Sequence, residues 1–202
     1  MTLEERSLLF SFISSMFSLP ESEKFLLLRQ PEMKDRIMTA CGLSSAALAY
    51  SAGEIFSAIS NGIPRIQEEY TRVFGHTLSK DTSPYELEHS KKEVFALTQN
   101  LADIRGFYNA FGLELAESER ADHIAIEAEF LSYLLFKEGY AKETLKNEEN
   151  AEVCCQARHD FLHDHFSWWT PHFARNLQSQ PSSFYCQAGV FLQEFLTETN
   201  DR

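Results

Sequence analysis

An all-α fold is predicted by three observations. The chain has 4 valines against 17 phenylalanines, so strand-favouring β-branched residues are scarce. Glycine and proline make up 14 of 202 residues, well below the average share of about 12%, so turn signals are few. Apolar residues recur three and four positions apart between capping signals, which is the period of an amphipathic helix. With 44% hydrophobic residues, a chain of this length can bury a substantial core.

The elements follow in order. Thr2 and Glu5 form a capping box, Thr-x-x-Glu, ahead of a helix carrying Leu8, Leu9, Phe12, Ile13, Met16 and Phe17. Pro20 ends it, and a short helix covers Glu21 to Leu28. Pro31 suits the first turn of a third helix, closed by Gly42. Ser44 or Ser45 opens a fourth with Leu48, Ile55, Phe56 and Ile59 on one face, and Asn61-Gly62 stops it. Pro64 opens a fifth, in which Ile66, Tyr70, Val73 and Phe74 face inward and Gly75 is the stop. Residues 76–89 form the longest polar interruption, and a loop of that length is more often functional or mobile than idle, reading either as a peptide-contact segment around Tyr85 or as a flexible connector. Ser90 and Glu93 give a second capping box, and the helix behind them runs to Phe111 and Gly112. Residues 113–117 are a short hinge. Ser118 is the expected N-cap of a central helix reaching Phe136, with Glu119 and Asp122 in its first turn. Residues 139–150 are charged and read as a helix end plus linker. Residues 158–173 are rich in histidine and aromatics, with Phe166, Trp168, Trp169 and Phe173 expected to pack. Pro181, Ser182 and Ser183 start a last helix through Phe195.

The central helix carries one anomaly. His123 and Glu127 lie at i and i+4 beside the apolar stripe, so they can meet, and a carboxylate there needs a partner to offset its desolvation. The pair reads as a satisfied structural contact, as part of a binding site, or as metal or acid–base chemistry.

Charge and cysteines narrow the function classes. Eighteen basic against 30 acidic residues give a formal net charge of −12, a surface that repels nucleic acid and anionic membranes and suits a basic peptide. Cys41, Cys154, Cys155 and Cys186 include no CxxC pair and read as reduced thiols. The start Met-Thr-Leu-Glu-Glu-Arg does not resemble a signal peptide, and no apolar run approaches a bilayer span, so a cytoplasmic location and no membrane insertion are expected.

Catalytic signatures are missing. The chain has no GxSxG, Walker A loop, GxGxxG or HExxH, and Glu86 with His89 is an unpaired Glu-x-x-His. His159 and His163 have a zinc-compatible spacing, but no further ligand cluster completes a site. A binding protein fits better than an enzyme.

Four segments stand out in order: Glu69-Tyr70-Thr71-Arg72-Val73-Phe74-Gly75, Ser83-Pro84-Tyr85-Glu86, Glu119-Arg120-Ala121-Asp122-His123, and Phe161 to Phe173 followed by Phe184-Tyr185. Together they resemble the TorD/DmsD/NarJ family of redox enzyme maturation chaperones. Glu69-Tyr70-Thr71-Arg72-Val73-Phe74-Gly75 resembles its aromatic-x-x-Leu-Phe signature, with Val73 in place of Leu. Ser83-Pro84-Tyr85-Glu86 resembles the proline segment that follows. Glu119-Arg120-Ala121-Asp122-His123 resembles its Glu-Pro-x-Asp-His motif, with Arg120 in place of Pro. Phe161 to Phe173 and then Phe184-Tyr185 resemble its C-terminal aromatic motifs. The resemblance implies a single all-helical domain of about 8–11 helices: N-terminal helices over 1–62, a family-like core over 63–139 and C-terminal helices over 150–198. It implies a chaperone that binds the apo catalytic subunit of a molybdopterin oxidoreductase, through its twin-arginine leader, until the molybdenum cofactor is inserted. By position it places Tyr70, Phe74, Pro84, Tyr85, Asp122 and His123 at the leader-binding surface. It also implies weak guanine nucleotide binding, no cofactor of its own, and a monomer or a domain-swapped dimer.

Elementary chemistry agrees. Two arginines followed by an apolar stretch need carboxylates and an aromatic groove. Asp122, Glu86, Glu88 and Glu119 can supply the first, with Glu127 beside them. Tyr70, Phe74 and Tyr85 can supply the second. On this reading Asp122→Ala costs binding more than folding. Two alternatives stand beside it: an assembly factor for a non-exported subunit, and a metal protein using His123, Glu127 and the histidines of 159–172.

Overall fold

The computed structural model describes residues 1–75, 82–90, 94–116 and 119–200. Among them ten α-helices follow one another: α1 (Leu3–Phe17), α2 (Glu23–Leu26), α3 (Pro31–Ser44), α4 (Ala46–Ser60), α5 (Ile63–Phe74), α6 (Val94–Ala110), α7 (Ile124–Tyr140), α8 (Glu148–Phe161), α9 (Thr170–Gln178) and α10 (Ser183–Asn200). The first capping box forms as expected: the Thr2 N–H donates to Glu5 at 2.7 Å and the Glu5 N–H donates to the Thr2 hydroxyl at 3.1 Å. Pro31 sits in the first turn of α3, and Ser45 caps α4 by accepting from the Leu48 N–H at 3.2 Å. Gly62, at φ 122°, turns the chain into α5, and Gly112, at φ 70°, turns it out of α6.

Four boundaries differ from the sequence reading. Gly42 does not close α3; the helix runs two residues further, with open space beside that glycine. The central helix α7 starts at Ile124, not after Ser118, which lies outside the described residues, as does Glu93 of the second capping box. Residues 119–122 therefore precede the helix instead of forming its first turn. Residues 139–150 are not a linker: α7 continues to Tyr140, passes through a π-turn over Ala141–Leu145, and α8 starts at Glu148 under an Asn147 cap. Lys146, at φ 53°, makes the reversal between them.

The described residues group into two compact units. One comprises Ser15–Pro84 and Thr170–Arg202 with Met1; the other comprises Thr2–Ser14 and Tyr85–Trp169.

The first unit is built on packed rings. Phe17 lies 5.4 Å from Phe173, Phe74 lies 4.8 Å from Tyr185, and Phe25 lies 5.6 Å from Phe184. A polar knot joins α5 to α10 inside it. The buried Glu69 carboxylate accepts from the Ser182 hydroxyl at 2.6 Å, the Ser183 hydroxyl at 3.0 Å and the Phe184 N–H at 3.0 Å. Arg65, one turn earlier, lies 3.3 Å away. Burial acts to raise the Glu69 pKa, but these hydrogen bonds outweigh it and hold the carboxyl below its ordinary value.

The second unit packs Tyr108, Phe130 and Phe161, with ring centres 4.8 and 4.9 Å apart along that row. Ser7 of α1 and Ser132 of α7 exchange hydroxyl-to-carbonyl hydrogen bonds at 2.8 Å. At the turn between α7 and α8, Arg158 and Lys142 both bond to the buried Glu138 carboxylate, at 3.2 and 2.8 Å.

Candidate functional site

The second unit gathers an acidic and aromatic cluster where residues 85–89 meet the approach to α7. Tyr85 and His123 form an antiparallel bridge, and the Glu86 N–H donates to the Asp122 carbonyl at 2.8 Å. Residues 86–89 then wind into a 3-10 turn, whose Leu87 N–H donates to the Asp122 carboxylate at 3.3 Å. This is the form taken by the second half of the polar interruption seen in the sequence; residues 76–81 lie outside the described residues. On the opposite side, the Tyr108 hydroxyl donates to the Ala121 carbonyl at 2.8 Å and fixes the same stretch.

His123 is the cap of α7: its Nδ1 accepts from the Ala125 N–H at 3.1 Å, satisfying a donor at the helix start. Its ring meets the Tyr85 ring edge-on at 5.0 Å. The partner of Glu127 is therefore not His123. Glu127 accepts from the Trp169 indole N–H at 3.3 Å, and Glu86 accepts from the Trp168 indole N–H at 2.7 Å. Trp169 is buried and stacks on His89 at 4.9 Å. Trp168, expected to pack, is 43% exposed and serves through its N–H. The buried His165 ring lies 3.4 Å from the Glu86 carboxylate and 3.3 Å from that of Asp103.

Arg120 closes the cluster from outside. Its Nε and Nη2 fork onto the two Asp122 carboxylate oxygens at 3.0 and 2.8 Å, and its Nη1 reaches Glu88 at 3.2 Å. Its guanidinium lies 3.9 Å from the centre of the Tyr85 ring.

Glu86, Asp122 and Glu127 are all fully buried. Asp122 is therefore not an open rim carboxylate; it pairs with Leu87 and Arg120 in the folded chain, so its removal is expected to cost folding. Glu127 carries the consequence of crowding. Burial first, then the nearby charges of Glu86 and Asp122, push it well above the ordinary carboxylate value, against the opposing Trp169 N–H. The folded chain holds this proton to higher pH than the unfolded chain does. From the ordinary value of 4.5 up to the raised value, stability falls as pH rises, by about 1.4 kcal/mol per pH unit for the one proton. Glu127→Gln removes that slope while keeping the shape. Urea denaturation of both proteins as pH rises above the ordinary carboxylate value is expected to show a flatter profile for the variant; parallel profiles would contradict the assignment.

The nine residues picked from the sequence fall in two groups. Tyr85, Glu86, Asp122, His123 and Glu127 come together as described. Glu119 precedes them but is exposed and turned back on Ala116, whose N–H donates to it at 3.2 Å. Tyr70, Phe74 and the buried Pro84 belong to the first unit, where Tyr70 and Phe74 pack at 5.1 Å and both meet Tyr185. Sequence reasoning missed Arg120 as a participant, and missed Trp168, Trp169 and His165 as the groups facing Glu86 and Glu127. Among the described residues, no group of three or more His, Cys, Asp or Glu is arranged to hold a metal ion, and no helix is long and apolar enough to cross a membrane.

Known proteins share this chain's pattern. The nitrate reductase delta subunit family matches residues 41–175. A selenate reductase assembly chaperone protein of Thauera selenatis is 34% identical over 104 residues, and a chlorate reductase assembly chaperone protein of Ideonella dechloratans is 35% identical over 102 residues. The match takes in 50% of this chain in each case, and the chain spans about half the length of these curated relatives, 52% and 50%. A crystal structure described as a candidate redox enzyme maturation protein from Archaeoglobus fulgidus shares the fold, with a TM-score of 0.53 and 21% identity over 98% of this chain and 94% of that one. The chain belongs to the nitrate reductase delta subunit family, the redox enzyme maturation group that its motifs resemble.

Proposed function

We propose that this chain is a cytoplasmic assembly chaperone. It binds the apo catalytic subunit of a molybdopterin oxidoreductase through an arginine-bearing leader and releases it for export after the client has received its molybdenum cofactor. The chain itself performs no catalysis and holds no cofactor. Family membership and relatives named as assembly chaperones support the general role.

The observation that carries the leader reading is the chemistry around Tyr85. A carboxylate backed by a backbone N–H, a second carboxylate at Glu88 and the half-buried Tyr85 ring together match a guanidinium. The overall charge of −12 draws a cationic segment toward any such seat. Calorimetric titration with a peptide carrying Arg-Arg and an apolar stretch tests it. Saturable binding lost with Gln-Gln is expected, and Tyr85→Ala is expected to weaken it about ten-fold, within the range for a desolvated cation–π contact plus lost packing. Equal affinity for the Arg-Arg and Gln-Gln peptides would refute the leader reading. Binding of a client subunit that lacks any arginine pair would favour the non-exported alternative.

A further inference from the structure

The chemistry a client arginine needs is already occupied by an arginine of the chain. The Arg120 guanidinium makes the fork onto Asp122, the contact with Glu88 and the stack on Tyr85. Together these are the contacts by which a guanidinium side chain is recognised on a carboxylate and an aromatic face. Asp122 is fully buried, whereas the side chains of Arg120 and Glu88 keep 46% and 41% of their surface. Arg120 therefore covers Asp122 from the solvent side. It precedes α7, and its backbone carbonyl accepts from the His123 N–H at 3.2 Å. Rotation of its side chain leaves that bond and the helix intact.

We propose that Arg120 is an internal stand-in for the client's arginine: it fills a guanidinium seat made by Asp122, Glu88 and Tyr85, and a leader arginine binds by displacing it. The inference rests on the leader reading and adds how that site is kept closed. Exchanging one guanidinium for another leaves the buried Asp122 carboxylate paired before and after, so neither state carries an uncompensated buried charge. A lysine cannot reproduce the fork, so the exchange selects arginine over lysine. Self-occupancy also lowers the apparent affinity by the fraction of time the seat is open.

The test uses the full chain with Arg120→Ala and three probes: an Arg-Arg peptide with an apolar stretch, its Lys-Lys twin, and ethylguanidinium against ethylammonium. Emptying the seat is expected to tighten the Arg-Arg peptide about ten-fold, and the Lys-Lys peptide far less. Millimolar ethylguanidinium is expected to raise the melting temperature of Arg120→Ala and not that of the wild type, with ethylammonium inert on both. Equal or weaker Arg-Arg binding by a folded Arg120→Ala overturns the displacement, as does an equal gain for both peptides, which marks simple charge removal. If Arg120→Ala does not fold, Arg120→Lys takes its place; it keeps the charge, loses the fork and is expected to tighten the Arg-Arg peptide by a smaller factor. Wild type that binds Arg-Arg over Lys-Lys, beside a variant with no gain, sinks this inference alone. If neither protein distinguishes the two peptides, the leader reading falls and takes the displacement with it. Ethylguanidinium rescue in that case would leave the seat real but unused by leaders.

Discussion

Glu69→Ala is expected to destabilise the chain by about 3–5 kcal/mol and to lower its melting temperature by roughly 10 °C. The carboxylate is buried and holds three donors at the start of α10: two serine hydroxyls and the Phe184 N–H. Alanine leaves all three without an acceptor, and α5 loses its polar tie to α10. The Ser182 hydroxyl and the Phe184 N–H are buried and cost about 1–3 kcal/mol each when orphaned, whereas the exposed Ser183 hydroxyl can turn to water. Glu69→Gln keeps one acceptor oxygen and is expected to lose less. The pH dependence has a definite sign. The folded-state pKa is lowered, so the contribution is complete above the ordinary value of 4.5 and disappears as pH falls through the lowered one. This window lies below that of Glu127, so the two carboxyls can be read apart in a single series. Denaturant unfolding checks the magnitude; a loss under about 1 kcal/mol would show that the knot is not what joins the helices.

Asp122→Ala is expected to act on two readouts together. Folding stability falls by about 1–3 kcal/mol, because the Leu87 N–H loses its acceptor while the half-exposed Arg120 can rehydrate. Binding of an Arg-Arg peptide falls at least about ten-fold, because the fork that distinguishes arginine is gone. Glu119→Ala is the control: its carboxylate bonds the nearby Ala116 N–H and does not face the seat, so a change within about two-fold is expected. Calorimetry and denaturation on the same preparations separate the effects. Unchanged affinity in a folded Asp122→Ala would remove Asp122 from the seat.

Local signals gave the helices and hid the cluster. The Thr2–Glu5 box, Pro31, Ser45, Asn61-Gly62 and Gly112 act within one turn of themselves, so their outcome was readable from neighbouring residues. Ser118 was a sound cap by residue type. The start of α7 was decided elsewhere, by the bridge between Tyr85 and His123 and by the His123 ring taking the cap. Residues 139–150 looked like a linker because charges dominate them. Yet Lys142, Glu138 and Arg158 form one buried-side ion cluster whose members stand up to 20 positions apart. A carboxylate at Glu127 needs a partner and the i+4 rule points to His123, whereas the donor is Trp169, 42 positions away. Arg120 stood out only as a departure from a motif. Its role needed Tyr85 and Glu88 brought beside it, 35 and 32 positions earlier in the chain, and no periodicity encodes that.

On the proposed function, the cluster around Tyr85 and Asp122 holds the arginines of a client leader. Photo-crosslinking is the most direct test: an Arg-Arg leader peptide with a benzophenone beside the arginines, irradiated with the full chain and mapped by mass spectrometry. Adducts on residues 85–89 and 119–123, abolished by excess unlabelled Arg-Arg peptide but not by its Gln-Gln form, are the expected result. Competable adducts confined to other segments of the chain would contradict it.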